Sequence, residues 1–536
     1  MNTARKLPIG IQDFEKLRKS DCLYVDKTQY VYQLTQTSSP YFLGRPRRFG
    51  KSLFLSTLKA YFEGKKELFE GLKIAELEKE WTQYPVIYID FNKSSYSNIR
   101  SLEVVIDDIL RKYEQQYDVP FIAEELSVRF SNVIAHAHKT TGIGVVVLID
   151  EYDKPLISSI DNPDLNTDMR NLLKGFYGVL KAEDAKLRFV FLTGVTKFSK
   201  VSVFSDLNQL VDISLNENFA EICGISETEL LQNFQPELQA LAERRKMSCD
   251  EAFAKLKKLY DGYRFAKVSA DIYNPFSVLN TFGSLDFAYY WFATGTPTSL
   301  AKALRNQNYD IRKFEDDVII SADSIMDYQV ENSNLIPLLY QTGYLTIKEY
   351  KQNKDAFVLG FPNEEVKYGF LKELLPAFVQ DPIRTGNFSV LIFLQQIEDG
   401  DIESFMTSLK AFFAAIPYDA IKQEHRDEQY YQHVFYLLFT LMGQFTETEV
   451  KSNKGRADAV VKTADHIFVF EFKIEAPPSP PEGGDVRGRA TTAEAALAQI
   501  NSREYAIPYT ADHRKLVKIG VEFSQTDKGV KRWVIE

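Results

Sequence analysis

Short apolar runs separated by amphipathic stretches dominate the N-terminal part of the chain. Segments rich in aliphatic and aromatic residues occur at residues 41–43, 85–91, 145–149, 187–193 and 209–215. Runs of this kind are typical of strands that are buried on both faces of a sheet. Residues 102–117 and 122–138, between these runs, carry apolar side chains at helical spacing. The alternation of strands and helices predicts a parallel α/β sheet.

The first strand is followed by a loop and then by Gly50-Lys51-Ser52, which opens the amphipathic stretch SLFLSTLKAYF. Strand, loop, Gly-Lys-Ser and helix is the layout of a phosphate-binding loop, because free backbone N–H groups and the helix N-terminus attract phosphate. In this layout Lys51 reaches the β- and γ-phosphates of a nucleotide, and the Ser52 hydroxyl ligates Mg²⁺. The stretch therefore predicts a nucleotide site.

The loop departs from the usual pattern G-x-x-x-x-G-K-[ST]. Arg45 stands where the first glycine is expected, Gly44 lies one position early, and Pro46 removes one N–H donor. Arg45 and Arg48 are further candidates for contact with the nucleotide. A helix that begins with Gly-Lys-Ser for unrelated reasons is the alternative, and this stretch by itself leaves both interpretations open.

A second feature supports the nucleotide site. The run VVVLIDE ends in Asp150 and Glu151. Asp150 is placed to hold Mg²⁺ through water, and Glu151 to polarise the attacking water. A core strand that ends in a solvated acidic turn is the alternative. Ligands of parallel sheets bind beyond the carboxyl ends of the strands, so Thr193 or Thr196 would sense the γ-phosphate there, although each also fits an ordinary polar loop.

The middle of the chain, from about residue 225 to 380, has a mostly helical pattern. Ser226 and Glu229 form a capping box at the start of one helix. The aromatic turn YDGYRF carries Arg264, for which a structural role is favoured over a contact with phosphate. We interpret this region as a helical lid. Residues 475–492, rich in Pro and Gly, predict a loop.

A second group of candidate catalytic residues lies near the C-terminus. Residues 467–474, IFVFEFKI, alternate as a strand, so Glu471 and Lys473 share one face. A hairpin would bring Asp458 beside Glu471, where both carboxylates would bind Mg²⁺ while Lys473 orients or activates water for phosphodiester hydrolysis. An edge hairpin with a solvated Glu/Lys pair is the alternative. Glu428 is a candidate third carboxylate, and Gln499 and Tyr505 are candidate residues at the border of the pocket.

Length and composition narrow the class of protein. A chain of 536 residues implies roughly three or four domains. The net charge of −10 argues against a uniformly basic nucleic-acid coat, although a local groove can still be basic. Three widely spaced cysteines, no apolar h-region and no run of about 18 apolar residues predict a reducing, cytoplasmic setting without a membrane segment.

The segments LPIGIQDFEKL, YVDKTQYV, RPRRFGKS, LIDEYDKP and LTGVTKFS resemble the bacterial AAA-ATPase-like family. The segments YDGYRF, YNPFSVLN and YWFATGTP resemble its middle region, and GRADAVV, FEFKI and ALAQINSREYA resemble the PD-(D/E)XK nuclease superfamily domain that ends such chains. The resemblance implies an ATP- and Mg²⁺-binding domain and a nuclease-like domain. It also implies that the loop's departure at the first glycine is a family trait.

Together these features predict an α/β protein with a P-loop NTPase parallel sheet (1–224), a helical middle or lid domain (225–383), a helical connector (384–420) and a restriction-endonuclease-like α/β domain (421–536). The leading hypothesis is an ATPase whose nucleotide state controls a metal-dependent nuclease acting on DNA or RNA. The alternative is a nucleotide-gated switch that binds nucleic acid or a protein and cuts nothing. The sequence leaves self-association open.

Overall fold

A computed structural model describes residues 5–120, 123–197, 209–291, 298–307, 309–315, 318–327, 334–379, 387–414, 428–443, 458–474, 492–524 and 529–536. The chain divides into two compact units. The first unit comprises residues 1–294 and 314–366, and the second comprises residues 295–313 and 367–536. The predicted boundaries after residues 224, 383 and 420 stay predictions.

The described residues form fourteen strands in four sheets. The strands are β1 (Pro40–Gly44), β2 (Val86–Asp90), β3 (Val145–Asp150), β4 (Leu187–Gly194), β5 (Val211–Asp212), β6 (Ile225–Ser226), β7 (Ile272–Tyr273), β8 (Val318–Ser321), β9 (Thr346–Lys351), β10 (Ala356–Gly360), β11 (Ala459–Lys462), β12 (His466–Ile474), β13 (Lys515–Ser524) and β14 (Gly529–Ile535).

Nineteen helices are described. They are α1 (Phe14–Lys19), α2 (Thr28–Thr35), α3 (Lys51–Phe62), α4 (Lys73–Leu77), α5 (Ile99–Gln116), α6 (Leu126–Thr141), α7 (Lys154–Ser158), α8 (Pro163–Ala182), α9 (Glu227–Asn233), α10 (Gln235–Arg245), α11 (Cys249–Tyr260), α12 (Pro275–Ser284), α13 (Thr298–Asn306), α14 (Ile336–Thr342), α15 (Glu364–Val379), α16 (Asn387–Glu398), α17 (Ile402–Ala414), α18 (Glu428–Met442) and α19 (Ala493–Ser502).

The central sheet of the first unit is parallel and has the order β2-β3-β4-β1-β5. Its strands are the continuous apolar runs, and every residue of β3 is buried. The predicted parallel α/β sheet is therefore confirmed, with β5 reduced to two residues. Because β4 lies between β1 and β3, the end of β4 separates the loop after β1 from the acidic pair after β3.

Local signals in the sequence account for several helix boundaries. Ser226 and Glu229 form the predicted capping box at the start of α9. Gly142, with φ of +73°, ends α6 in the left-handed conformation that glycine adopts without strain. Asn274 caps α12 by accepting hydrogen bonds from the N–H groups of Phe276 and Ser277.

The middle of the chain differs from the helical prediction, because it also holds an antiparallel sheet with the order β8-β10-β9. β10 is buried along its whole length, whereas β9 is buried only at its first two residues and half-buried or exposed beyond them. These strands span only four to six residues each. Short apolar runs of this length cannot be distinguished from buried helical segments by periodicity, which explains why the sequence analysis misses the sheet.

The second unit is built on a mixed sheet with the order β11-β12-β13-β14. β11 and β12 form the predicted hairpin, in which Ala459 lies opposite Phe470. β12 and β13 are parallel, and α19 packs against both of them. A parallel pair of strands needs a crossover connection, and α19 lies in the connection between β12 and β13. This arrangement agrees with the predicted C-terminal α/β domain.

Candidate functional sites

The loop after β1 has the backbone of a tight turn leading into a helix. Arg48 and Gly50 have φ angles of +68° and +94°, and Gly50 is the N-cap of α3. The Lys51 side chain is buried, and its ammonium donates hydrogen bonds to the carbonyl oxygens of Arg45 (2.9 Å) and Pro46 (3.1 Å). The loop therefore curls around the lysine, at the N-terminus of a twelve-residue helix.

Arg45 is bound to the protein itself. Its guanidinium is buried and donates hydrogen bonds to the carbonyl oxygens of Gly44, Ser214 and Phe219. It also stacks on the Phe265 ring at 4.2 Å. A guanidinium bound in this way fixes the loop to the protein. The contact of Arg45 with a nucleotide stays a prediction.

The two other candidate arginines, Arg48 and Arg264, contact side chains of the protein. Arg48 is exposed, and its guanidinium lies 4.9 Å from the centre of the Phe276 ring. Arg264 pairs with Asp271 and donates to the Lys348 carbonyl oxygen. The structural role favoured for Arg264 agrees with these contacts.

Carboxylates converge at the carboxyl end of the central sheet. Asp150 is buried and accepts a hydrogen bond of 2.6 Å from the Thr193 hydroxyl. Asp90 ends β2 directly beside Asp150 in the sheet register. Burial, together with the charges of Asp150 and Glu151, raises the pKa of Asp90. Asp90 was not among the residues predicted from the sequence, although an aspartate near the end of the predicted strand 85–91 was a usable signal.

Glu151 and Asp153 follow β3 in a strained turn. Glu151 is half-buried and has a φ angle of +49°, which is uncommon for a residue other than glycine and is concentrated at functional sites. Asp153 accepts hydrogen bonds from the N–H groups of Val195 and Thr196 and from the Thr196 hydroxyl. Burial raises the pKa of Asp153 to about 6, against the opposing effect of the Thr196 hydrogen bonds. Asp153 thus ties the acidic turn to the end of β4.

An apolar cavity of about 90 Å³ borders the loop at Gly50. Its lining comes from the N-terminal segment, from α3 and from the middle region, and includes Val25, Leu53, Ile225 and Leu279. Ligand pockets are commonly lined by apolar side chains with a few polar groups that fix orientation. The cavity thus lies within reach of a ligand whose phosphates are held at the helix N-terminus.

The second unit brings its predicted residues together around the hairpin. The register of the hairpin ends with Ala459 opposite Phe470, and Asp458 and Glu471 are the next residues along the two chains. An Asp458 carboxylate oxygen accepts a hydrogen bond of 2.8 Å from the Phe472 N–H. Lys473 lies on the same face as Glu471, and its Nζ is 3.2 Å from Glu471 Oε1. The strand periodicity and the hairpin thus place these three side chains as the sequence predicts.

Gln499 and Tyr505 are linked to Glu471 by hydrogen bonds. The Gln499 amide donates hydrogen bonds to Glu471 Oε1 and, at 3.3 Å, to the Tyr505 hydroxyl oxygen. α19 supplies Gln499 because it packs across β12 and β13. Glu428 begins α18, but its side chain lies outside the part of the chain that the structure describes.

The carboxylates of the second unit fit a divalent cation. Glu471 is buried, and its Oε2 atom has no hydrogen-bond partner among the described residues. Burial and the neighbouring charge of Asp458 raise the pKa of Glu471 to about 7. Carboxylate oxygens are the ligands that Mg²⁺ prefers, and a cation would relieve both the burial and the repulsion.

The carboxyl end of the central sheet also offers oxygen ligands for a cation, but they come from separate elements. The Ser52 hydroxyl is half-buried at the start of α3, and Asp150 is the last residue of β3. Within the described ranges, no group of three or more His, Cys, Asp or Glu side chains is arranged to hold a metal ion. A cation at either site would therefore complete its shell with water or with oxygens of the substrate.

Comparison with known proteins finds a different family in the N-terminal and C-terminal parts of the chain. The family of predicted AAA-ATPases, AAA-ATPase-like, matches residues 8–204, and the PD-(D/E)XK nuclease superfamily matches residues 426–533. The "Uncharacterized protein in vnfD 5'region" of Azotobacter chroococcum mcd 1 is 36% identical over 543 residues, which cover 99% of each chain. The chain therefore belongs to the AAA-ATPase-like family and carries a C-terminal PD-(D/E)XK nuclease superfamily domain.

None of the described helices combines the length and the apolar character that a membrane span requires.

Proposed function

We propose that this protein binds and hydrolyses ATP, and that its nucleotide state controls metal-dependent cleavage of nucleic acid by the C-terminal domain. The observation that carries the proposal is the buried Glu471 carboxylate, with one oxygen unpaired among the described residues, beside Asp458 and Lys473. A surface ion pair would not need such burial. Buried groups with strongly shifted pKa values concentrate at functional sites.

At the nucleotide site, the protein's own groups supply charge and orientation. The Lys51 ammonium exchanges its two carbonyl partners for the β- and γ-phosphate oxygens, which are stronger acceptors because they are charged. Thr193 orients the Asp150 carboxylate, and Glu151 accepts a hydrogen bond from the attacking water. Mg²⁺, when bound, neutralises charge on the phosphates.

The apolar cavity beside Gly50 would take the adenine base. Its position next to the start of α3 allows a ligand to reach both the cavity and the helix N-terminus. Apolar walls recognise a base through its flat faces, whereas the loop recognises phosphate through N–H groups.

At the nuclease-like site, Lys473 and Gln499 hold Glu471 in place through hydrogen bonds to the same carboxylate oxygen. Lys473 is also placed to orient a water toward the scissile phosphate. A divalent cation, when bound, lowers the pKa of water and polarises the phosphate. Asp458 and Glu471 would hold that cation through their carboxylate oxygens.

The alternative function is a nucleotide-gated switch that binds nucleic acid or a protein without cutting. The net charge of −10 favours it, because a nuclease surface usually carries a basic surplus.

The deciding experiment incubates the purified full-length chain with single- and double-stranded DNA and RNA, in Mg²⁺ or Mn²⁺, with and without ATP. ATP-dependent cleavage that Glu151→Gln alters supports the coupled enzyme. Nucleotide-dependent binding without cleavage under every condition supports the switch.

A further inference from the structure

Part of the second unit comes from a segment far upstream of its other residues. Residues 295–313 belong to the second unit, although the chain on both sides of them belongs to the first. The segment ends in a short 3₁₀ turn, Ile311–Phe314, which carries Arg312. Residues 295–313 lie well outside the matched nuclease domain at 426–533. The fold therefore adds residues to this unit that the domain itself does not contain.

Arg312 lies beside the nuclease-like site. Together with Phe435, Asp458 and Phe472, it lines a cavity of about 40 Å³. The side chain keeps 41% of its surface exposed, so part of it is accessible to a ligand. The hydrogen bond to Asp310, followed by the charges of Asp310 and Asp458, raises the pKa of Arg312. Arg312 thus places a permanent positive charge next to one of the two candidate metal-binding carboxylates.

Arg312 is held in a defined orientation. Asp310 accepts two hydrogen bonds from its guanidinium, at 2.8 and 3.0 Å. The buried imidazole of His433, on α18, lies 3.4 Å from the same carboxylate. Although burial opposes the effect, hydrogen bonds from His433 and Arg312 hold the pKa of Asp310 well below its usual range. Asp310 therefore stays charged and fixes the arginine against α18.

We propose that Arg312 is a substrate-binding residue of the nuclease-like site and contacts a backbone phosphate of the nucleic acid beside Asp458. The inference rests on the proposed function. Two carboxylates repel an approaching phosphate, and Lys473 is already bound to Glu471. A guanidinium on the Asp458 side offsets that repulsion, and its fork geometry suits a phosphate group.

Arg514 provides a matched control for Arg312. It bonds Asp512, two residues earlier, with the same three donors: the backbone N–H, Nε and Nη2. Arg312 uses the same three groups on Asp310. Arg514 precedes β13, whose first residue pairs with His466, whereas Glu471 pairs with Gly520. The control therefore repeats the pairing of Arg312 with its aspartate and carries the same charge, but it lies just before the start of β13, away from Glu471. Its side chain is more buried, at 16% against 41% exposed, and it also donates to the Thr463 carbonyl oxygen.

The experiment measures binding of fluorescein-labelled single- and double-stranded oligonucleotides by anisotropy, with Ca²⁺ replacing Mg²⁺ and over a range of salt concentrations. The variants are Arg312→Ala, Arg312→Lys and Arg514→Ala in the full chain. Arg312→Ala should weaken binding about tenfold or more and lower the salt slope by about 1, which corresponds to one lost phosphate contact. Arg312→Lys should keep the slope but bind more weakly, and Arg514→Ala should match the wild type.

Each possible result either supports or rejects the role proposed for Arg312. Equal affinity and slope in the wild type and Arg312→Ala would show that Arg312 has only a structural role. If the wild type neither binds nor cuts any oligonucleotide, the proposed function and this inference are both rejected. Thermal melting of each variant identifies a folding defect. If Arg312→Ala is unfolded, Arg312→Lys decides, because wild-type affinity in that variant would reject bidentate contact.

Discussion

The two candidate sites balance their buried charge in different ways. At the nucleotide loop, Lys51 is bound to two carbonyl oxygens and Asp150 to the Thr193 hydroxyl. At the nuclease-like site, Glu471 keeps one buried oxygen unpaired among the described residues, and its pKa is raised to about 7. At the first site Lys51 and Asp150 have hydrogen-bond partners within the protein, whereas at the second site Lys473 pairs with only one oxygen of Glu471 and the other oxygen is left for a cation.

This difference predicts different responses to ligands. A nucleotide must replace hydrogen bonds that already exist, so much of its gross interaction energy is offset by the bonds it breaks. A cation at Glu471 would instead satisfy an oxygen that has been desolvated at a cost. Substitutions that remove single charged groups test this contrast.

The largest effect is expected at the second site. If the wild type cleaves nucleic acid, Asp458→Ala and Lys473→Ala should each lower the cleavage rate by roughly 10² or more, because each removes a group from the reacting centre. Lys515→Ala, an exposed lysine at the far end of β13, serves as the control. Initial rates on the preferred substrate provide the measurement. Wild-type rates in both site variants would move the activity to another part of the protein.

The next effect concerns Glu151. Glu151→Gln should bind ATP normally but turn it over roughly 10²-fold more slowly, because an amide positions water but cannot accept its proton. Glu217→Gln changes an exposed glutamate and should have no effect. Steady-state ATPase assays and calorimetric titration separate turnover from binding. A wild-type rate would remove Glu151 from this role, and loss of binding as well would indicate a structural carboxylate.

Glu365 tests how a buried carboxylate behaves when the protein supplies its partners. It accepts hydrogen bonds from the Ser277 hydroxyl (2.7 Å) and the Trp291 N–H (2.8 Å). Burial nevertheless raises its pKa from 4.5 to about 7. The folded state therefore holds the proton more tightly than the unfolded state. The contribution of Glu365 to stability is full below pH 4.5, falls as pH rises, and is lost above pH about 7.

Glu365→Gln should remove this dependence. The variant should be more stable than the wild type at pH 8, by on the order of 2 kcal/mol, and should lose that advantage near pH 4.5. Urea unfolding at a series of pH values gives the measurement. A difference between variant and wild type that does not change with pH would contradict the raised pKa.

The smallest effect is expected at Lys51, because its ammonium already has partners. Lys51→Ala should weaken ATP binding about tenfold, or about 1.4 kcal/mol. Lys59→Ala, on the same helix and 38% exposed, should bind ATP as the wild type does. Calorimetric titration compares the two variants. Unchanged affinity in Lys51→Ala would reject the phosphate-binding loop.

Local patterns predicted much of the fold. Continuous apolar runs marked the four main strands of the central sheet, and the alternation in FEFKI placed Glu471 and Lys473 on one face. The sheet at β8, β9 and β10 was missed, because short strands carry too few residues for their period to stand out from that of a helix.

Spacing along the chain was enough to indicate candidate residues within a single strand or loop, such as Lys51 after β1 and Asp150 at the end of β3, since it fixes the direction of their side chains. Which distant residues join them was set by the fold. The strand order placed Asp90 beside Asp150, burial committed Arg45 to backbone carbonyls, and the excursion of residues 295–313 brought Arg312 to Asp458. These placements depend on which elements become neighbours, and the hydrophobic periodicity of a single element does not specify its neighbours.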